Sequence, residues 1–224
     1  MMLRPKPGEP CHHTRFGLIR HAQTRWNHEK RIQGQSDSPL TGCGRCQADR
    51  WADLLRAFSW DRILTSDLGR AVETAGRIQS KLGGLPASQD PRLREQDWGE
   101  WTGKQLEEIR SQAEQMVRTA GDSGWGFRPP GGEDRLSVLR RSRRALMGAA
   151  RRWPGRTLLT VVHGGVVASL LQGLSGRKWI ASEPRLVRPH HLHWLRCDGT
   201  KLLLEEINAL DLSDGPMDAE AETA

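Results

Sequence analysis

The sequence predicts an α/β protein, a three-layer α/β/α sandwich around a mostly parallel central sheet. Three observations carry this. Short apolar runs alternate with helix-periodic stretches along the chain, which is the rhythm of a layered α/β domain. The run Thr157–Val162 (TLLTVV) reads as a buried strand followed at once by a helix. Three segments also end a strand in polar or charged residues: Arg20-His21, Ser66-Asp67 running into Arg70, and His163-Gly164-Gly165. In sheets of this type ligands bind at the carboxyl ends of the strands, so the architecture would bring these distant segments to one rim.

The elements follow in order. Phe16–Ile19 is a short apolar strand, and Arg45–Phe58 places Ala48, Trp51, Ala52, Leu54 and Leu55 on one helical stripe. Arg62–Thr65 (RILT) reads as the second strand, followed by a helix from Leu68 to Leu82. Thr102–Thr119 is compatible with a helix that Gly121 would stop. From Arg135 to Arg156 the positions Leu136, Leu139, Leu146, Ala150 and Trp153 make another stripe, ended by Pro154-Gly155. A helix over Gly165–Leu174 follows the buried strand. His193–Cys197 and Lys201–Ile207 then flank Asp198-Gly199-Thr200, a hairpin signal.

At 224 residues, with 36% hydrophobic and 27% charged, the chain suits one folded domain. The expected domain spans residues 15–212, with a helical cap-like insertion at about 97–155, between a Pro-rich end (1–14) and an acidic tail (213–224). No apolar run is long enough for a membrane span, and the N-terminal stretch lacks the apolar core of a secretory signal. A cytoplasmic protein without a membrane partner is expected. Cys11, Cys43, Cys46 and Cys197 then read as free thiols, and the Cys43/Cys46 pair lacks a partner pair that would complete a zinc site. His12-His13 and His190-His191-His193 lack a carboxylate or Cys at ligand spacing, so no metal is expected. The net charge of +7 concentrates on Arg140, Arg141, Arg144, Arg151 and Arg152. These read as a solvated helix face rather than a nucleic-acid surface, although basic character would steer in anionic substrates.

Transfer of a phosphoryl group without a metal needs a nucleophile, cations and N–H donors for the equatorial oxygens, and an acid for the leaving oxygen. The chain holds each. An imidazole such as His21 can take the phosphoryl group covalently. Arg20 and Arg70 offer planar forks that match phosphate oxygens. His163 with Gly164-Gly165 opens a helix whose N-terminus favours anions. Glu95 lies in a polar, tryptophan-bearing loop (LREQDWGEWTG) that reads as a site edge.

These residues also carry a resemblance. R-H-A-Q-T-R-W-N at Arg20–Asn27 resembles the R-H-G-x-T-x-x-N signature of the histidine phosphatase superfamily, the phosphoglycerate-mutase-like family. S-D-L-G-R-A-V-E-T-A, L-R-E-Q-D-W-G-E-W-T-G and V-V-H-G-G are similar to its later motifs, in the same order, over residues 16 to about 208. The resemblance implies that His21 is phosphorylated and that Arg20, Arg70 and His163 form the phosphate pocket. Asn27 and the Gly164 N–H would complete that pocket, and Glu95 would act as acid and then base. Ala22 stands where the family most often has Gly. The compact stretch from Glu95 to His163 resembles the phosphatase branch rather than the mutases.

A small phosphorylated metabolite is the expected partner, and no cofactor is expected. The loop Gln33-Gly34-Gln35-Ser36, the acid loop with Trp98 and Trp101, and the PPGGE loop should line the entrance. Arg31, Arg94 and Arg128 are candidates for a second anionic group, and Trp26 for stacking or packing. A phosphoglycerate mutase and a phosphate-binding regulator stay open as alternatives, as do monomer and dimer.

Overall fold

The computed structural model describes residues 13–119, 124–179 and 186–213. The two chain ends up to residue 12 and from residue 214, together with Cys11, His12 and Gly121, lie outside these residues.

Strand β1 (Thr14–Arg20) leads to a single helical turn α1 (Arg25–His28) and then to α2 (Gly42–Leu55). Strand β2 (Arg62–Thr65), helix α3 (Gly69–Lys81) and the short strand β3 (Ala87–Gln89) follow. Next come α4 (Leu106–Thr119), α5 (Arg135–Arg152), β4 (Thr157–Val162) and α6 (Gly164–Leu174). Strands β5 (His191–Cys197) and β6 (Leu202–Asp211) close the chain as an antiparallel hairpin. The sheet order is β3-β2-β4-β1-β5-β6, with β3, β2, β4 and β1 parallel and β5 and β6 antiparallel to their neighbours. The sheet is therefore mixed, its site-bearing half entirely parallel.

Alternation along the central strands divides the core into two layers. Phe16 and Leu18 of β1, with Leu158 and Val162 of β4, face Val138, Leu146, Val166 and Leu170 of α5 and α6. Ile19 of β1 and Leu159 and Val161 of β4 face Trp51, Leu55, Ala71 and Ile78 of α2 and α3. Because both faces are covered, β4 carries apolar residues on both of them, which is what made it legible as a run.

Several boundaries moved. Helix α2 begins at Gly42, before the expected Arg45, because Thr41 Oγ1 accepts the Gly44 N–H and fixes the N-cap. Helix α4 starts only at Leu106. Residues Gly99–Trp101 form a 3₁₀ turn instead, and Gly103 takes a positive φ of 84° between the two. Trp101, expected at the entrance, is 1% exposed and packs with Ile32, Ile109 and Phe127 in a third small cluster, with Trp98 against it. The free thiols Cys43 and Cys46 sit in the first two turns of α2, whereas Cys197 is buried in the core. No described helix is long and apolar enough to cross a membrane.

Candidate active site

The sheet register assembles the site. Arg20 of β1 pairs with Val162 of β4, and the His21 N–H donates to the Val162 carbonyl at 2.8 Å. The next residue of each strand is therefore a histidine, and the His21 and His163 rings meet edge to face with centroids 5.2 Å apart. On the other side of β4, Thr65 of β2 pairs with Val161 and the Ser66 N–H donates to the same Val161 carbonyl. The chain then turns into α3, whose second residue is Arg70. The three strand ends thus converge, as the sequence implied.

His21 is 3% exposed. Its Nδ1 lies 2.8 Å from the Ala22 carbonyl oxygen, which only an N–H can satisfy, so Nδ1 carries the proton and Nε2 carries the lone pair. Arg70 Nε–H donates to that lone pair at 3.2 Å. The remainder of the Arg70 fork is held by two carbonyls and a carboxylate: Nη2 donates to the Gly34 carbonyl at 2.7 Å, and Nη1 to the Ser36 carbonyl at 2.8 Å and to Asp37 Oδ1 at 3.1 Å. The Asp37 carboxylate also accepts the N–H groups of Gly69 and Arg70 at the start of α3. Thr74 Oγ1 accepts the Ala22 N–H at 3.1 Å and donates to the Arg70 carbonyl at 2.7 Å, coupling the two motifs. Asp37 and Thr74 were not singled out from sequence. Thr74 stood within the S-D-L-G-R-A-V-E-T-A motif, whereas nothing in the sequence marks Asp37.

Burial and the Arg20 and Arg70 cations push the His21 pKa well below its usual value. Burial first, then the other histidine and the same two arginines, do so for His163. Both rings are neutral at pH 7. Several buried groups make no hydrogen bond within the described protein: Arg20 Nε, both ring nitrogens of His163, and Gln33 Oε1. Unpaired buried polar atoms are costly, so these are open to the polar groups of a ligand. Gly164 stands close by. A methyl on it would lie 3.6 Å from Arg20 Nε, which puts the first residue of α6 against that guanidinium. Glu95 sits at the opposite side of the α6 N-terminus. Its Oε2 accepts the Gly165 N–H at 3.0 Å and its Oε1 the Gln96 N–H at 2.8 Å. Its charge opposes the downward pull of burial on Arg20 and Arg70.

Of the other expected ligand residues, Gly34 adopts a φ of 53° and turns its carbonyl to Arg70. Gln33 is buried beside it. Asn27 belongs to a capping box: its Oδ1 accepts the Thr24 N–H at 3.2 Å and the Thr24 hydroxyl at 3.1 Å, which leaves its amide NH₂ as the donor.

The three arginines expected to meet a second anion are already paired. Arg31 bonds Glu29 and the Gly103 carbonyl, Arg94 makes a bidentate pair with Asp67, and Arg128 bonds Asp134. Trp26 packs by Gly103, on which a methyl would lie 3.6 Å from the indole. Arg141, expected on a solvated face, instead turns inward and is bonded throughout (below). The candidate metal histidines do not converge: His191 Nδ1 lies 2.7 Å from the Pro189 carbonyl, and His193 Nδ1 accepts the Asn208 N–H. Among the described residues no three His, Cys, Asp or Glu side chains cluster to hold a metal ion.

A neutral imidazole with an oriented lone pair, two guanidiniums, a helix N-terminus and a carboxyl group can together receive a tetrahedral anion and exchange protons with its leaving oxygen. The chain is similar in sequence and fold to known proteins. The chain is 39% identical over 159 residues, 71% of its length and 74% of the relative's, to the "Probable phosphoglycerate mutase GpmB" of Yersinia enterocolitica. Bacillus stearothermophilus YhfR is 33% identical and superposes with a TM-score of 0.76, covering 89% of this chain and 98% of that one. A mycobacterial glucosyl-3-phosphoglycerate phosphatase in complex with VO3 is 30% identical, with a TM-score of 0.71 and coverage of 88% and 99%. The model of the histidine phosphatase superfamily (branch 1) matches residues 16–210, which includes all four motifs and reaches into all six strands. With its motifs, its sheet register and its relatives in accord, this chain belongs to the histidine phosphatase superfamily, branch 1.

Proposed function

We propose that the protein is a phosphatase acting on phosphate monoesters of small metabolites through a phosphohistidine on His21. The observation that carries this reading is the His21 ring: neutral, with Nδ1–H tied to the Ala22 carbonyl and Nε2 facing Arg70. In the first step Nε2 bonds phosphorus while the ester P–O bond breaks, and protonated Glu95 gives its proton to the departing oxygen. The Arg70 Nε–H turns from Nε2 to a phosphoryl oxygen, and Arg20, His163 and the N-terminus of α6 hold the others. In the second step ionised Glu95 takes a proton from water, the hydroxyl oxygen bonds phosphorus, and the P–N bond breaks. Orthophosphate leaves and both side chains return to their first state. All charge neutralisation in this scheme comes from side chains and backbone N–H groups, so no metal takes part.

A mutase would return the phosphoryl group to a second hydroxyl, and relatives named as phosphoglycerate mutases support that alternative. Hydrolysis is favoured because Arg31, Arg94 and Arg128, the cations that a carboxylate or second phosphate would need, are engaged in ion pairs. The test is release of phosphate from p-nitrophenyl phosphate and a panel of alkyl phosphomonoesters in EDTA, comparing wild type, His21→Ala and Glu95→Gln. Activity that resists EDTA, vanishes in His21→Ala, and in Glu95→Gln falls mainly for the alkyl esters is expected. Full activity of His21→Ala would end the scheme. No hydrolysis in the wild type, with exchange between 3-phosphoglycerate and 2,3-bisphosphoglycerate, would establish the mutase.

A further inference from the structure

We infer that Arg141, held by Glu133, is a positioning residue that sets where the Glu95 carboxyl group stands, an inference that rests on Glu95 being the proton donor. Arg141 belongs to α5, where Arg140, Arg143, Arg144, Arg151 and Arg152 are exposed, yet its side chain is only 19% exposed. Its guanidinium divides its donors between the Arg92–Glu95 stretch and the Glu133 carboxylate. Nη1 donates to the carbonyls of Arg92 and Arg94 at 2.7 and 2.5 Å, and Nη2 to the carbonyl of Glu95 at 2.9 Å. Nε and Nη2 also meet Glu133 Oε1 and Oε2 at 2.8 and 2.9 Å, the parallel fork that fixes both orientation and distance.

Glu133 is anchored in turn to the other side of the acid. Its carbonyl accepts Gln96 Nε2–H at 2.7 Å, and its N–H donates to the Asp97 carbonyl at 2.9 Å. Gln35 Nε2–H adds a bond to the Glu95 carbonyl at 3.3 Å from the opposite loop. The backbone from Arg92 to Asp97 is therefore stitched on both sides of Glu95, although those residues form no strand or α-helix that would fix it otherwise. Backbone carbonyls in a loop need partners, and a single guanidinium supplies three of them here. The catalytic consequence follows from geometry: a carboxyl group displaced by about 1 Å loses on the order of 100-fold in proton-transfer efficiency.

The variants are Arg141→Met, Arg141→Lys and Glu133→Gln, each assayed with a nitro-substituted aryl phosphate and an alkyl phosphate, alone and in a Glu95→Gln background. Glu133→Gln keeps the side-chain shape and guards against a misfolded Arg141→Met. For an alkyl ester kcat should fall about 10- to 100-fold in Arg141→Met and less in Arg141→Lys and Glu133→Gln. For the activated aryl ester, whose leaving group needs no proton, the change should stay within about threefold. In the Glu95→Gln background the Arg141 and Glu133 substitutions should add less than about twofold, since the group they position has gone. Equal losses for both leaving groups, or losses that add to Glu95→Gln, would overturn the inference while leaving the phosphatase reading intact. A Glu95→Gln enzyme with no leaving-group dependence would instead remove the acid and the inference with it.

Discussion

Replacing Gly165 with alanine separates stability from catalysis in a way the site geometry dictates. Gly165 is the second residue of α6, and its N–H holds Glu95 Oε2 at 3.0 Å. A methyl there would overlap Glu95 Oε1 and lie 3.2 Å from the carboxyl carbon and 3.5 Å from Oε2. The obstructed atoms are the free end of a side chain, so the carboxyl group swings away rather than the helix shifting. Alanine favours helix over glycine by up to about 1 kcal/mol, so the thermal midpoint should hold or rise. Catalysis should move the other way. The carboxyl group is moved away from the leaving oxygen, and a misplacement of about 1 Å costs on the order of 100-fold in rate. Steady-state kinetics with alkyl and nitroaryl phosphates would read the loss on the alkyl ester alone. Gly164→Ala is the contrast, because its methyl would meet Arg20 Nε at 3.6 Å, an ordinary contact, and should cost far less. Wild-type turnover of the alkyl ester by Gly165→Ala, or an equal loss on both esters, would refute the placement of Glu95 at the leaving oxygen.

Two further outcomes follow from the same geometry. Arg70→Lys removes a fork that serves the Gly34 and Ser36 carbonyls, Asp37 and His21 together, which an ammonium cannot reproduce; kcat/KM should fall by about 10²–10³, and a change under threefold in phosphatase assays would contradict it. His21 and His163 are neutral when folded but take up protons near pH 6.5 when unfolded, so the unfolded state binds more protons below that pH. Stability should therefore fall as the pH drops from 7 to 5, by up to about 1.4 kcal/mol per pH unit for each ring, and urea midpoints that stay flat or rise would show the rings are not held neutral.

The parts legible in the sequence are those governed by local pattern. The apolar run of β4 and the stripes of α2 and α5 announced themselves because burial on known faces imposes period. His21, Arg70 and His163 could be brought together because parallel strands share a carboxyl rim, and the register that makes the histidines adjacent only sharpens that expectation. Strand β3 escaped notice because Ala87-Ser88-Gln89 is a short polar edge with no apolar alternation. The four-residue α1 is held by a capping box rather than by an apolar face. Arg141 was misread for a different reason. Its bonds go to backbone carbonyls nearly fifty residues away in the chain, and carbonyls leave no signature in a side-chain sequence. The pairs Arg94–Asp67 and Arg128–Asp134 likewise depend on tertiary approach, so these two arginines read as free cations in the sequence.

The central claim is the covalent intermediate, and trapping it tests the account most directly. Enzyme mixed for milliseconds with a radiolabelled aryl phosphate and quenched in alkali should carry label that survives base and is lost in acid, the behaviour of a phosphoramidate. Peptide mapping should place it on His21, and Glu95→Gln should accumulate it, because water attack is slowed once the base is gone. Label on another residue, or rapid phosphate release with no labelled protein in either the wild type or Glu95→Gln, would contradict the account.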